Sequence, residues 1–236
     1  MTFRQLVALA ALIAVGGACD DDPTEPQPQA KVRVVNAAAS NQTVDLFVNG
    51  QRVGTQSFAF GTGSTACFDV PAGARTVEFR PAGSTTVLAR ITPDPVFAAG
   101  TSNTVVLAGS GTGIRAFTFP DAFTATAGQA GVRVINASPA LGTSDVFVTE
   151  PGVTISGSPT FEDVAFGTAT SFENIDAGEV RVRFTDPGTT LVALDANGTP
   201  AFSIAANQVR TFVVADVAGG GMPTSEDNVI MLQACS

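Results

Sequence analysis

Apolar and polar residues alternate along many short stretches of this 236-residue chain. In residues 44–48 (VDLFV) and 76–80 (TVEFR) the period is two or nearly so, as expected for strands with one buried face. Turn sequences separate such runs: Asn49-Gly50 is a strong hairpin signal, and residues 71–73 (PAG) predict a tight turn. The pattern predicts an all-β protein. In its first half the predicted strands are residues 31–37, 43–49, 56–60, 65–69, 75–80, 85–91, 103–108 and 113–119.

A sequence repeat divides the chain into two halves. Residues 32–37 (VRVVNA) return as residues 132–137 (VRVINA), and residues 44–48 correspond to residues 144–148 (SDVFV). Modules of about 100 residues have the usual size of a domain, and short strands at this spacing are typical of sandwiches. The sequence therefore predicts two tandem immunoglobulin-like antiparallel β-sandwich domains. The predicted domains are residues 31–123 and 132–236, and the predicted linker is residues 124–131.

The N-terminus has the organisation of a bacterial export signal. Arg4 precedes an apolar run, residues 6–15, which is too short to span a membrane and has the length of a signal-peptide core. Small residues then lead into Cys19, similar to a lipobox, in which the cysteine is lipidated and becomes the first residue of the mature protein. We expect a signal peptide at residues 1–18 and a lipidation site at Cys19. An ordinary signal peptide cut at the same place, giving a secreted protein, is the alternative.

The residues that follow Cys19 suit a membrane tether. Residues 19–30 are acidic and rich in proline, which favours a spacer over packed structure. A lipidated N-terminal cysteine carries more than one acyl chain, which is enough for stable anchoring. We therefore expect membrane lipid as a partner, and a location in the cell envelope at the outer membrane or cell surface.

Two other cysteines, Cys67 and Cys235, lie in different repeats. An oxidising, exported setting permits a disulfide bond between them, which would connect the two domains. Two buried thiols are the alternative, because Cys67 aligns with Phe172 of the second repeat and is expected to be buried. Neither a Cys-x-x-Cys pair nor any histidine is present to build a zinc site with them.

Composition narrows the function classes further. The chain contains 17 Phe but no Trp, Tyr or His, and its net charge is −9. Phosphate binding needs clustered Lys and Arg, so nucleic acid is not an expected partner. Without histidine, neither a Ser-His-Asp nor a Cys-His arrangement can form. The acidic pairs Glu162-Asp163 and Glu226-Asp227 lie in predicted loops and are expected to be solvated. We therefore predict no catalytic residue, no metal site and no cofactor.

Three polar positions stand out among those shared by both repeats, since most of the shared positions are apolar or glycine. The pairs are Arg33 and Arg133, Asn36 and Asn136, and Asp45 and Asp145. If strands 31–37 and 43–49 form a hairpin, Asn36 lies opposite Asp45 at its mouth. We expect these side chains to satisfy backbone amides of the connecting loops, which is a structural role. A ligand site at both hairpins is the alternative.

These residues carry a family resemblance. The pattern VRVVNA…VDLFVNG…FGT…VPAG…VEFR resembles the bacterial envelope domain catalogued as domain of unknown function 4397, over residues 31–119 and 132–233. The resemblance implies extracytoplasmic Ig-like sandwiches, often in tandem and often behind a lipoprotein signal. It implies no biochemical activity, because the family has none that is settled.

Two main functional hypotheses follow. The first is a non-catalytic, lipid-anchored envelope protein that serves as a structural, adhesion or protein-interaction module, with an unidentified protein partner. The second is a periplasmic or surface protein that binds a ligand such as polysaccharide, although carbohydrate sites usually use Trp or Tyr faces, which this chain lacks. An enzyme using carboxylates alone is a third and weaker hypothesis.

Overall fold

A computed structural model describes residues 27–40, 42–196 and 201–235, and this part of the chain is all-β. The strands of the first half are β1 (Gln29–Ala38), β2 (Val44–Val48), β3 (Gln51–Arg52), β4 (Thr62–Gly63), β5 (Phe68–Pro71), β6 (Gly73–Ala74), β7 (Val77–Pro81), β8 (Ala89–Arg90), β9 (Val96–Phe97), β10 (Ser102–Gly109) and β11 (Arg115–Pro120). A 3-10 helix, η1 (Gly111–Gly113), precedes β11.

The second half has a corresponding set of strands. They are β12 (Gln129–Ala137), β13 (Ser144–Thr149), β14 (Phe161–Val164), β15 (Glu173–Asp176), β16 (Gly178–Thr185), β17 (Val192–Ala196), β18 (Phe202–Ile204), β19 (Val209–Ala215) and β20 (Val229–Gln233). A second 3-10 helix, η2 (Glu226–Asn228), precedes β20. No helix in the described ranges is long and apolar enough to cross a membrane.

Each half is built from two main sheets with matching strand orders. In the first half the orders are β11-β10-β1-β4, with β5 also on β1, and β3-β2-β7-β8. In the second half they are β20-β19-β12-β15 and β14-β13-β16-β17, with β18 also on β16. The repeated sequences thus fold into strands at equivalent positions, since β1 matches β12 and β2 matches β13.

The sheets are mostly antiparallel, but the central pairs are not. Strand β1 runs parallel to β10, and β12 runs parallel to β19. Parallel neighbours need a long crossover, and here the chain forms the other sheet of each half before it returns. The predicted antiparallel pairing is therefore confirmed for the other strand pairs and wrong at these two.

The predicted hairpin of strands 31–37 and 43–49 does not form. Strand β1 pairs with β10, β4 and β5, whereas β2 pairs with β3 and β7 in the opposite sheet. The short connection between them therefore crosses from one sheet to the other. Predicted strand 56–60 is also absent as a strand and contributes only an isolated bridge between Val44 and Phe58.

A hydrophobic core fills the space between the two sheets of each half. Phe79 and Phe97 are fully buried in the first core, and Phe184 and Phe212 in the second. On β1, Val32 and Val34 point into this core because alternate residues of a strand share a face.

A third core joins the two halves. The opposite faces of the central strands meet there, with apolar residues from β1, β10, β12, β19 and β20. The central strands are therefore buried on both faces, which explains their nearly continuous apolar sequences. Its buried members are Val35, Ala37, Val106, Ala108, Ile135, Ala137, Val213, Ala215, Ile230 and Leu232.

The strands extend into both segments that were predicted to link structured parts. Strand β1 begins at Gln29, within the predicted tether, and β12 begins at Gln129, within the predicted linker. The predicted signal peptide, Cys19 and tether residues 19–26 lie outside the described residues.

Candidate functional site

The two recurring asparagines hold the connections between the sheets. Asn36 Nδ2 donates to the carbonyls of Gln42 (2.8 Å) and Phe58 (3.0 Å), and its Oδ1 accepts from the amide of Ala38 (3.2 Å). The side chain is fully buried, so each of these bonds satisfies a group that water cannot reach. Asn36 thus joins the loop after β1 to the segment around residue 58.

Asn136 repeats this arrangement in the second half. Its Nδ2 donates to the carbonyls of Gly142 (2.7 Å) and Val164 (3.0 Å), and its Oδ1 accepts from the amide of Ser138 (3.0 Å). Both asparagines therefore use their amide groups on backbone partners of their own half. Neither side chain is directed at a surface pocket.

The recurring aspartates accept hydrogen bonds from loops other than those that the asparagines contact. Asp45 Oδ2 accepts from the amide of Gly83 (3.1 Å), and its Oδ1 accepts from Ser57 Oγ (2.6 Å) and Arg52 Nη2 (2.8 Å). Burial alone would raise the pKa of Asp45, but the bonds from Ser57, Gly83 and Arg52 outweigh it and lower the pKa below its ordinary value. The carboxylate is therefore held in its charged form.

Asp145 binds backbone amides with both oxygens. Its Oδ1 accepts from the amide of Asp163 (2.8 Å) and its Oδ2 from the amide of Gly188 (2.7 Å). Gly188 is the counterpart of Gly83, so the same turn is fixed in both halves. The partners of Oδ1 differ between the halves. Asp45 Oδ1 accepts from the side chains of Ser57 and Arg52, whereas Asp145 Oδ1 accepts from a backbone amide.

A disulfide bond joins Cys67 to Cys235 across 168 residues, with Cα atoms 5.8 Å apart. It ties the segment before β5 in the first half to the segment after β20 in the second. Because Cys67 aligns with Phe172, the equivalent place in the other half holds no sulfur. There, Phe172 stacks on Phe123 with ring centroids 5.0 Å apart. The two halves are thus joined by a covalent bond at one place and by an aromatic stack at its counterpart.

A buried charged cluster lies beside these two junctions. Arg133 forms an ion pair with Asp121, and their side chains are only 3% and 4% exposed. Arg133 Nη2 also donates to Thr104 Oγ1 (3.1 Å) and its Nη1 to the Pro120 carbonyl (2.6 Å), while the guanidinium lies 4.5 Å from the Phe172 ring centroid. Burial raises the pKa of Asp121, although Arg133 and Thr104 oppose this effect. Asp121 and Thr104 belong to the first half, so Arg133 connects the halves.

Arg33, the counterpart of Arg133, has a poorer set of partners. Its Nη2 donates to Cys67 Sγ (3.3 Å), but its buried Nε has no hydrogen-bond partner among the described residues. The register of the last strands explains the difference, because Asp121 follows β11 where Ala234 follows β20. Burial lowers the pKa of Arg33, with some opposition from the charge of Asp121.

Other candidate groups are not brought together. No group of three or more His, Cys, Asp or Glu residues in the described ranges is placed to hold a metal ion. Glu162 and Asp163 lie exposed at β14, and Glu226 and Asp227 open η2. Glu162 and Asp163 line an open pocket together with Glu173, but these three carboxylates are not arranged to hold a metal ion.

The side of the first half carries an open groove with a volume of about 660 Å³. It runs along the edge strand β11, between β8 on one side and Gly167 of the second half on the other. Its wall is mainly apolar, and Arg90, Asp94 and Arg115 supply the charges. Sequence analysis did not identify this groove, because no single motif marks it.

Comparison with known families places the chain. The family profile "Domain of unknown function (DUF4397)" matches residues 30–147, which is half of the 236 residues. The chain belongs to this family. The match begins in β1 and ends in β13. It therefore includes Asn36 and Asp45 of the first half and their counterparts Asn136 and Asp145 of the second.

Other comparisons add little about function. No curated protein matches the chain. Among solved structures, it is similar to "The Bacillus anthracis TIE protein", with 13% sequence identity and a TM-score of 0.24. The similarity covers 80% of the present chain and 34% of the chain in that structure. The present chain therefore spans about a third of the length of the protein that it matches.

Sequence reasoning missed Asp121 and Thr104. Asp121 has no counterpart carboxylate in the second half, where Ala234 lies at the equivalent position, and Thr104 and its counterpart Thr211 look like ordinary strand residues. Arg133 was the only available signal, since a recurring arginine on an apolar strand requires a partner when it is buried.

Proposed function

We propose that this chain is a non-catalytic, lipid-anchored protein of the bacterial cell envelope. In this proposal two tandem immunoglobulin-like sandwiches form a structural, adhesion or protein-interaction module. Membership of a family without assigned activity is consistent with it, and so are the matching strand orders of the two halves.

One observation carries the non-catalytic part of the proposal. The polar side chains that recur in both halves are already used to hold loops and sheets in place, as with Asn36, Asp45 and Arg133. A catalytic group would need a free reactive atom facing a substrate pocket. What the first half presents instead is an open sheet edge beside a groove, a feature that proteins use to bind other polypeptides.

The location rests on the N-terminal sequence. Residues 6–15 have the length of a signal-peptide core, and small residues precede Cys19. The disulfide of Cys67 and Cys235 suits an oxidising compartment outside the cytoplasm.

The experiment is the intact mass of the mature protein from a bacterial membrane fraction. We expect a chain that begins at Cys19 and carries acyl groups. The matched variant Cys19→Ala should lose the acyl mass and leave the membrane fraction. An unmodified wild-type chain beginning near residue 19 would show that the protein is secreted, and the anchoring part of the proposal would be wrong.

A further inference from the structure

Strand β11 is the outermost strand of its sheet. Among the strands of residues 27–40, 42–196 and 201–235, it pairs only with β10. The amide of Asp121 donates to the Ser102 carbonyl (2.9 Å), which fixes the phase of the antiparallel ladder. In that phase the backbone groups of residues 115, 117 and 119 face β10. Those of Ala116 and Thr118 face away from β10 and make no ladder bond with another described strand. Ala116 is 9% exposed at this edge.

The groove provides space on both sides of this edge. On the side of β8 it is lined by Ile91 and Pro93, and on the opposite side by Phe117, Phe119 and Gly167. Successive side chains of a strand point to opposite faces. A strand added to β11 would therefore place alternate side chains on two different sides of the groove.

One polar side chain of β11, on the face that packs toward the first core, lacks a partner. Thr118 Oγ1 is buried and forms no hydrogen bond with any described residue. Its counterpart on β20 is Met231, since Thr118 pairs with Val105 and Met231 with Phe212 at equivalent places. Met231 instead packs against the second core.

The second half covers its own side with a segment of chain. Helix η2 packs against β17, which is the counterpart of β8. In the first half, β8 is contacted by β11 itself, and the 3-10 helix η1 (Gly111–Gly113) comes before β11. The segment that covers the second half is polypeptide and begins with two acidic residues, Glu226 and Asp227.

The charge of the groove favours a similar occupant. Arg115 is exposed and forms no hydrogen bond or ion pair with another described residue. Arg90 is paired with Asp94 at 2.9 Å, so the groove has a net positive charge in a chain whose net charge is −9. Opposite charges guide association and orient a partner.

We propose that the β11 edge binds an extended acidic segment of a partner protein by β-strand addition. This inference deepens the proposed interaction function and rests on it. Arg133 sets one end of the site, because its Nη1 donates to the outward carbonyl of Pro120 (2.6 Å). The added strand therefore lies beside residues 114–119, with its carboxylates near Arg115.

The test measures binding of a defined probe to the purified full chain in mild detergent. The probe is a fluorescein-labelled peptide in which Val alternates with Asp and Thr, and binding is followed by fluorescence anisotropy. Two control peptides have Lys in place of Asp, or N-methyl groups on alternate backbone amides. The acidic probe should bind, and the N-methylated one should bind at least about tenfold more weakly because it loses main-chain hydrogen bonds.

Two variants test the site on the protein. Thr118→Pro removes an outward amide without breaking the ladder to β10, and should weaken probe binding about tenfold. Met231→Pro, at the equivalent outward position of β20, is the matched control and should leave binding unchanged. Arg115→Glu should weaken the acidic probe about threefold and improve binding of the lysine peptide.

Three outcomes would overturn the inference. They are no binding of the acidic probe, equal binding of the N-methylated probe, or a concentration-dependent dimer in sedimentation that Thr118→Pro abolishes. The last would mean that a second copy of the chain occupies the edge. If circular dichroism shows that Thr118→Pro does not fold, the inference is tested by the N-methylated peptide and by Arg115→Glu instead. Binding in detergent does not depend on the lipid anchor, so a failure here is separate from a failure of the anchoring experiment.

Discussion

Asp45 and Asp145 lie at equivalent positions, yet different donors satisfy them. Gly83 and Gly188 supply the same backbone amide to each, whereas Ser57 and Arg52 serve only Asp45. The shared bond fixes a turn common to both halves. The other oxygen of each carboxylate binds donors that differ between the halves. Each aspartate therefore has one contact that both halves share and one that is specific to its own half.

The lowered pKa of Asp45 predicts a loss of stability in acid. Because its folded-state pKa lies below the unfolded value of about 4, its contribution is fully present above about pH 4 and is lost as the pH falls through the folded pKa. Asp45→Asn should lower the free energy of unfolding at neutral pH, and should flatten its dependence on pH below about 4. Urea unfolding at a series of pH values measures both effects.

The control for this prediction is Asp69→Asn. Asp69 is exposed, and its side chain forms no hydrogen bond with any described residue. This variant should keep the pH dependence of the wild type. Equal curves for the wild type and Asp45→Asn would show that the carboxylate does not contribute in the way the geometry indicates.

Phe79 and Phe184 are equivalent core residues, with 0% and 1% of their surfaces exposed. Replacing either by Ala should reduce the free energy of unfolding by about 3–5 kcal/mol, because apolar contacts are lost and a cavity remains. Chemical denaturation measures the loss. Val96→Ala is the control, since Val96 is 73% exposed and should change stability by less than about 1 kcal/mol. A loss as small for the phenylalanines would contradict their place in the core.

At the scale of elements, the central strands serve two cores at once. On β1, Val34 packs inside the first half while Val35 packs against the second half. Neither face of such a strand can carry exposed polar residues without cost. The two arginines on these strands that recur in both halves, Arg33 and Arg133, are accordingly buried.

The close contact between β4 and β20 predicts a sensitive glycine. A Cβ at Gly63 would overlap Leu232 Cδ2, and Leu232 is buried in the central core. Gly63→Ala should therefore cost about 1–3 kcal/mol of unfolding free energy through displaced packing. Thermal and urea unfolding measure this cost.

Gly113→Ala is the matched control for that substitution. A Cβ there has no atom within 4 Å, and neither glycine has a positive φ. The control should change stability by no more than about 0.5 kcal/mol. If both variants lose the same amount, packing between β4 and β20 is not the cause.

Across the two halves, contacts of four kinds hold the molecule together. They are the central core, the ion pair of Arg133 with Asp121, the stack of Phe123 on Phe172 and the disulfide of Cys67 with Cys235. Apolar burial on this scale couples the halves more strongly than a short linker could. We therefore expect a single cooperative unfolding transition.

Removal of the disulfide should weaken the molecule without separating its halves. The double variant Cys67→Ser, Cys235→Ser should lose about 2–5 kcal/mol, because the bond closes a long loop in the unfolded chain. Guanidinium unfolding should still show one transition, since the central core remains. Reductant should lower the stability of the wild type and leave the variant unchanged. Two separate transitions in the variant would show that the disulfide, and not the core, couples the halves.

The all-β class and the internal repeat could be predicted from the sequence alone. Period-two alternation marks which residues share a face, and the repeat of residues 32–37 at 132–137 marks equivalent strands. The same comparison identified Asn36 and Asp45 as positions to examine. Strand alternation and repeated motifs can be recognised in short stretches of sequence, without knowledge of the contacts between distant residues.

The pairing of the strands and the partners of the polar side chains could not be predicted, because they depend on the tertiary fold. Alternation gives the faces of β1 but not its neighbour, so the expected hairpin with β2 proved wrong and β10 lies there instead. Asp121 was not identifiable as the partner of Arg133, and the groove beside β11 was not visible either. Each depends on residues far apart in sequence, which are brought together by burial of the central sheets against each other.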